Sequence, residues 1–303
     1  MKKRIRPALV LALVLVFLLT AALLVSAQTE RIQVTDFMDR EVTLRGPAKR
    51  VVALQAADCE ILYALGAGSL VAGRGEYCNY PEDVLSLPAV TSGFETNIEQ
   101  IIALSPDLVI MARMGQLEEH ADKLAAAGIA VYVSDAQTLD GVYRNIELLG
   151  QLTGKAEAAA ELISYMKGSF EALSQKAADR RGASVYFEAS PLQFGLWTAG
   201  QGTFMDEIAG ILNLKNIFSE FEGWKEVSQE QVLSRDPDYI VTTAMYFGLG
   251  ETPVEEVMGR ESWSGVSAVK NNRVFQADAD AITRPGPRLA EAAQALYDFV
   301  YGE

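Results

Sequence analysis

Asn97-Ile-Glu-Gln-Ile-Ile-Ala-Leu-Ser-Pro-Asp-Leu-Val-Ile110 and Ser228-Gln-Glu-Gln-Val-Leu-Ser-Arg-Asp-Pro-Asp-Tyr-Ile-Val241 are two versions of one stretch, set 131 positions apart. Glu99 falls on Glu230, Gln100 on Gln231, Pro106 on Pro237 and Asp107 on Asp238, with apolar residues matching around them. Each copy reads as a short helix, a Pro-Asp corner and a buried strand. Two related lobes follow, and the chain is long enough at 303 residues for each to have its own core.

Working outward, strands alternate with helices in both halves. Arg50–Leu54 and Leu70–Gly73 read as strands, separated by a helix over Asp58–Leu65 that stops at Gly66-Ala-Gly68. Ile129–Val133 is a further strand. Ala183–Glu188 and Val274–Gln276 are strands of the second half, Thr203 opens a helix there, and Arg288–Tyr301 is a closing helix. This alternation predicts parallel sheets covered on both faces. Gln33–Leu44 reads as a hairpin leading into the body. Between the halves, Lys155–Asp179 has helical composition and no proline; twenty-five such residues would span about 37 Å, enough to bridge two domains. The expected division is 28–152 for the first lobe, 153–181 for the linking helix and 182–303 for the second lobe.

Residues 1–27 stand apart. Lys2, Lys3, Arg4 and Arg6 precede an uncharged run from Ala8 to Val25, and Val25-Ser26-Ala27 suits signal peptidase. The run is long enough for a retained anchor as well as a cleaved signal. No cysteine follows it, which argues against a lipid anchor. In both cases the body is exported. That body carries 22 basic and 40 acidic residues, a net charge of −18. Such a charge argues against nucleic acid or an anionic lipid surface as a partner. It suits a basic protein partner or solubility alone.

Catalytic groups are scarce. His120 is the single histidine and lies in a polar helical stretch, which predicts a surface position. With Cys59 and Cys78 the only cysteines, no Cys/His metal cluster can be assembled. An exported protein can join these two, whereas the helical setting of Cys59 suits a small core residue; spacing leaves both open. There is no Gly-x-Ser-x-Gly elbow, no Walker loop and no complete Gly-x-Gly-x-x-Gly. What remains is a set of aromatics beside Gly, Pro, Asn and Ser, on loops expected at the C-terminal ends of strands: Tyr77, Tyr80, Phe94, Trp197, Trp224, Tyr246 and Phe247. Ligands of open α/β sheets sit at that end. Arg284 and Arg288 flank the Pro285-Gly-Pro287 turn, where Arg284 either serves a ligand or braces the turn.

Tyr77-Cys-Asn-Tyr-Pro81, the Asn97–Ile110 stretch, Thr198-Ala-Gly-Gln-Gly-Thr203, Val227-Ser-Gln-Glu-Gln-Val and Arg284-Pro-Gly-Pro-Arg288 resemble the substrate-binding proteins of ABC importers for iron chelates and vitamin B12. The resemblance covers 49–303. It implies two Rossmann-like α/β lobes of the class III periplasmic-binding-protein type, joined by one long helix, with little hinge closure. It implies no resident cofactor and no enzyme activity; the ligand would be a ferric siderophore or a corrinoid, with haem ranked behind them. By matched position the ligand residues would be Tyr77, Trp197, Trp224, Asp280 and Arg284. Gly93 and Ala112 stand where the B12-binding members have tryptophans, and the neighbouring Phe94 and Arg113 are the candidate replacements. Glu99 and Glu230 match the acids that dock on the permease. They also sit where a helix dipole alone would favour an acid, by about 0.3–1 kcal/mol, with Thr96 and Ser228 as expected N-caps. The partner is then an ABC permease/ATPase complex, with membrane association through it or through a retained N-terminal segment. Alternatives are an exported metal-cofactor enzyme and a membrane-anchored ligand sensor.

Overall fold

The computed structural model describes residues 31–92, 95–113, 118–245, 248 and 250–302. The segment 1–27 and the site candidates Phe94 and Tyr246 lie outside the described residues, as does Phe247.

A hairpin of β1 (Ile32–Thr35) and β2 (Glu41–Leu44) leads in. The first lobe then runs β3 (Val51–Ala53), α1 (Ala56–Ala64), β4 (Val71–Gly75), β5 (Ala89–Val90), α2 (Ile98–Ala103), β6 (Leu108–Ala112), α3 (Glu118–Ala126) and β7 (Ala130–Ser134). Helices α4 (Leu139–Thr153) and α5 (Ala156–Ala177) follow. The second lobe runs β8 (Ala183–Glu188), β9 (Leu196–Ala199), α6 (Phe204–Ile211), β10 (Leu214–Asn216), β11 (Trp224–Val227), α7 (Gln229–Arg235) and β12 (Tyr239–Thr242). It ends with α8 (Pro253–Gly259), α9 (Ser267–Lys270), β13 (Val274–Gln276), α10 (Ala279–Thr283) and α11 (Leu289–Tyr301).

The first sheet is parallel, in the order β5-β4-β3-β6-β7, and the second is parallel in the order β10-β8-β12-β13. In each, the strand order reverses beside the lobe's first strand, β3 or β8. That reversal opens a crevice at the strands' C-terminal ends. The second lobe adds an antiparallel pair, β9 with β11.

The repeat explains how each sheet is pinned. Asn97 caps α2 by accepting from the Gln100 amide at 3.0 Å, and Ser228 caps α7 through the Gln231 amide at 3.3 Å. Ser228 was expected, but Asn97 takes the place predicted for Thr96, because its carbonyl oxygen reaches the N3 amide. Only the second copy closes a capping box, with Gln231 Oε1 accepting from the Ser228 amide; Gln100 Oε1 instead takes the Thr91 amide at the end of β5. Both helices end on a left-handed residue before the proline, Ser105 at φ 49° and Asp236 at φ 44°. Asp107 then accepts the amides of Lys49 and Arg50, and Asp238 accepts the amide and hydroxyl of Ser184. One carboxylate thus ties each repeat to the start of its lobe's first strand.

Side-chain alternation divides the core in the same way in both lobes. Val51, Ala53, Leu108, Ile110 and Tyr132 join Val185, Phe187 and Val241 in one continuous core. The intervening Val52, Val109 and Val131 face a private core of the first lobe, and Tyr186 and Ile240 one of the second. Helix α5 sends Met166, Phe170, Leu173 and Ala177 into the shared core. At about 1.5 Å per residue its 22 residues span about 33 Å. The lobes are fused through apolar packing, so a wide hinge motion would expose it.

Three readings need correction. Trp197 and Trp224 lie on β9 and β11, not on loops. The segment from Asp278 to Pro287 contains a helical turn, α10, capped by the Asp278 side chain. His120 is buried, at 9% exposure, because His120, Ala121 and Leu124 form the inward stripe of α3 while the acids beside them face out.

Candidate functional site

At the end of β4 the chain passes so close to β3 that a Cβ on Gly75 would lie 2.1 Å from the Leu54 carbonyl oxygen. Only glycine fits there. One Arg74 guanidinium nitrogen donates to the carbonyls of Gly75, Glu76 and Cys78, each at 3.2 Å, and so props the loop that follows. Tyr77 and Tyr80 project from it at 73% and 46% exposure, with a cis bond between Tyr80 and Pro81. Both rings thus stand exposed on a braced loop.

The second lobe answers with the β9–β11 ribbon. Gly200 closes it, since a Cβ there would meet the Phe221 carbonyl oxygen at 2.1 Å. Trp197 stands opposite Glu226 in the register, so the two share an outward face, and Trp197 is 42% exposed. Trp224 is half-buried edge-on to Phe204, and its indole nitrogen donates to Gln137 Oε1 of the first lobe at 3.1 Å. Two further bonds cross beside it: the Phe204 amide donates to the Gln137 carbonyl, and the Leu139 amide to Glu207 Oε2.

A second junction forms around Glu60 of α1, which is 2% exposed. Arg288 donates to both of its oxygens at 2.8 Å, and Arg284 to Oε1 at 2.8 Å. Arg284 also donates to Asn79 Oδ1 and the Tyr77 carbonyl and pairs with Asp280 at 2.6 Å. Asn79 donates in turn to Asp280, and the Arg288 guanidinium lies 4.3 Å over the Tyr80 ring. The Glu60 bonds hold the Arg288 pKa above its ordinary value. The loop bearing Tyr77 and Tyr80 is therefore bound to the opposite lobe by charged, directional contacts.

Two more buried acids lie near the strand ends. Asp58 accepts from the Ser134 hydroxyl at 2.6 Å and the Asn145 amide at 2.8 Å; burial pushes its pKa up to about 6, against those two bonds. Glu188, at the end of β8, receives both terminal nitrogens of Arg260 at 2.8 and 3.0 Å, and burial raises its pKa. Arg260 also binds Glu256 and stacks on Trp263.

Among the sequence-derived candidates, Tyr77, Tyr80, Asp280 and Arg284 come together at the Glu60 junction. Trp197 and Trp224 share the ribbon face. Arg113, beyond the end of β6, pairs with Asp135 at 3.2 Å and is largely exposed. Glu99 and Glu230 are exposed in the first turns of α2 and α7, one per lobe. Both helices run back along their sheets, so their N-termini share the end that carries the aromatics. Glu60, Asn79, Gln137, Asp135, Glu226 and the 73%-exposed Phe194 were not singled out from sequence. Glu60 had a visible signal, a charge inside the apolar run Cys59–Leu62, which demands a partner. Cys59 and Cys78 are buried and free. Among the described residues no group of three or more His, Cys, Asp or Glu side chains is placed to hold a metal ion. Two depressions of about 720 and 920 Å³, one between α4 and α5 and one at the N-terminal edge of the first sheet, include none of these candidates.

A family profile described as "Periplasmic binding protein" matches residues 51–281. An uncharacterized ABC transporter substrate-binding lipoprotein of Bacillus subtilis is 34% identical over 277 residues, covering 89% of this chain and 85% of its own length. The crystal structure of the periplasmic vitamin B12-binding protein BtuF of Vibrio cholerae superposes with a TM-score of 0.71 at 29% identity, covering 84% of this chain and 97% of that one. That of a possible iron-binding periplasmic solute-binding protein of Staphylococcus epidermidis gives 0.70 at 30% identity, covering 84% and 99%.

Proposed function

The chain belongs to the periplasmic binding protein family, and on that premise we propose how its two lobes work together. It is an exported substrate-binding protein of an ABC importer, acting on an iron chelate or a corrinoid. Among the described residues no helix is long and apolar enough to cross a membrane. The ligand sits between the lobes, against Tyr77 and Tyr80 on one side and Trp197 on the other. Arg113, Trp224, Asp280 and Arg284 complete its described surroundings, and Phe94 and Tyr246, ligand candidates by sequence, lie outside the described residues. The carrying observation is that exposed aromatics of both lobes lie on the segments that follow β4 and β8, beyond the C-terminal ends of the two parallel sheets.

Capture is non-catalytic in this reading, and the cargo is substrate rather than resident cofactor. The shared core and the two junctions keep the cleft near its final shape before the ligand arrives, which lowers the ordering penalty of binding. Glu99 and Glu230 present one carboxylate per lobe on the ligand-bearing end. A permease/ATPase complex with two basic patches would meet both at once, and its contact would fall off with salt.

Calorimetry of the exported body against cobalamin, cobinamide, haem and ferric siderophores tests the ligand class. Binding of at least one, weakened about tenfold or more by Trp197→Ala, is expected from the loss of a partly buried aromatic contact. No binding across the panel would refute the class. Glu99→Ala with Glu230→Ala should leave affinity unchanged and abolish uptake in a reconstituted importer; equal uptake would reduce both to helix-start acids.

A further inference from the structure

Resting on the reading that a metal chelate or corrinoid occupies the interlobe cleft, we infer that the cleft selects for the ligand's charge: it takes neutral or cationic chelates and rejects anionic ones. The loops that follow the sheet strands at their C-terminal ends carry few bases. Arg113 and Arg284 belong to them, and Arg288 lies just beyond. Positions 93–94, 114–117, 246–247 and 249 add no lysine or arginine to this set.

Two of these three cations are tied up in buried or half-buried pairs. A guanidinium has five N–H donors. Both terminal nitrogens of Arg284 are committed, to Glu60, Asn79, Asp280 and the Tyr77 carbonyl. Arg288 is held by Glu60 and Asp278 beneath the Tyr80 ring. Arg113 pairs with Asp135 through one terminal nitrogen at 3.2 Å and is otherwise exposed, its charge balanced by that carboxylate. An anionic chelate drawn to Arg284 or Arg288 would have to break one of these pairs and leave a carboxylate unpaired, and at Arg113 it would meet the Asp135 carboxylate beside the cation.

The carboxylates, by contrast, are in excess. Glu60, Asp278 and Asp280 face two arginines, leaving one formal negative charge at that junction. Arg113 and Asp135 cancel. Glu76, beside Tyr77, and Glu226, opposite Trp197, form no ion pair among the described residues, and exposed Lys225 stands opposite Thr198 on the other face of the ribbon. The exported body adds its net charge of −18, which concentrates cations and repels anions at the mouth of the cleft.

Two matched probe pairs test this at low salt: ferrioxamine B, a cationic ferric hydroxamate, against an anionic ferric tris-catecholate, and diaquacobinamide against cobyrinic acid, the same ring with free carboxylates. In whichever pair binds, the cationic member should bind at least about tenfold tighter, and the gap should shrink at roughly 0.5 M salt. Glu226→Lys should narrow it by about threefold, the size of a partly exposed charge effect. An anionic member that binds as tightly as its partner, or tighter, overturns the charge selection while leaving the chelate-binding function standing. Binding of haem alone, whose two propionates make it anionic, also overturns the charge selection; no binding to either pair, to cobalamin or to haem overturns that function, and this inference with it.

Discussion

The two lobes handle a buried acid in opposite ways. In the second lobe Glu188 finds Arg260 on its own side of the molecule, backed by Glu256 and by stacking on Trp263. That lobe satisfies its buried charge internally. In the first lobe Glu60 finds its arginines only across the interface, on the segment that joins α10 to α11. Its neutralisation requires the second lobe to be in place. A buried carboxylate without its cation is expensive, so this arrangement makes the relative placement of the lobes part of the first lobe's own stability. The same arginines hold the Tyr77–Tyr80 loop. The proposed ligand surface and the lobe junction are therefore one structure on this side of the molecule.

Removing each acid is the strongest way to break that comparison. Glu60→Ala leaves two guanidinium groups without their main partner and should destabilise the protein by about 3–5 kcal/mol. It should also raise amide exchange in the Tyr77–Pro81 loop. Glu188→Ala leaves Arg260 with Glu256 and should cost less, about 2–3 kcal/mol, with no change at that loop. Urea unfolding combined with hydrogen exchange separates the two; equal exchange in both variants would show that Glu60 does not hold the lobes together.

A smaller effect concerns Asp58, whose partners are neutral. Its pKa in the folded protein, about 6, lies above the ordinary 3.8, so the folded state binds its proton more readily than the unfolded state does. Stability from this group is therefore full below about pH 4, declines as pH rises to about 6, and stays at the lower level above that. Asp58→Asn should remove about 2–3 kcal/mol of decline between pH 4 and pH 7, read from urea midpoints. An unchanged pH profile would mean that Asp58 ionises as freely as an exposed acid.

Much of this organisation was legible in the residues. Apolar alternation and the Gly and Pro punctuation marked Ala183–Glu188 and Val274–Gln276 to their boundaries, and the repeat announced two equivalent strand–helix units. Pairing across distant segments was not legible. Nothing near Trp197 and Trp224 declares that they sit on one antiparallel ribbon, because that pairing joins residues separated by a whole helix and strand. His120 was misplaced for a related reason: the acids around it dominate the local composition, while the three-residue stripe that faces the sheet is short. The arginines of the PGP turn were visible as candidates, but their saturation by Glu60 depends on contacts more than 200 positions apart.

Central to the account is that one ligand touches both lobes at once. Hydrogen–deuterium exchange of the exported body, with and without the tightest-binding chelate of the panel, tests this most directly. Concerted protection of Tyr77–Pro81 in the first lobe and Leu196–Ala199 in the second is the predicted result. Protection confined to one lobe, or found only at the groove between α4 and α5, would contradict it.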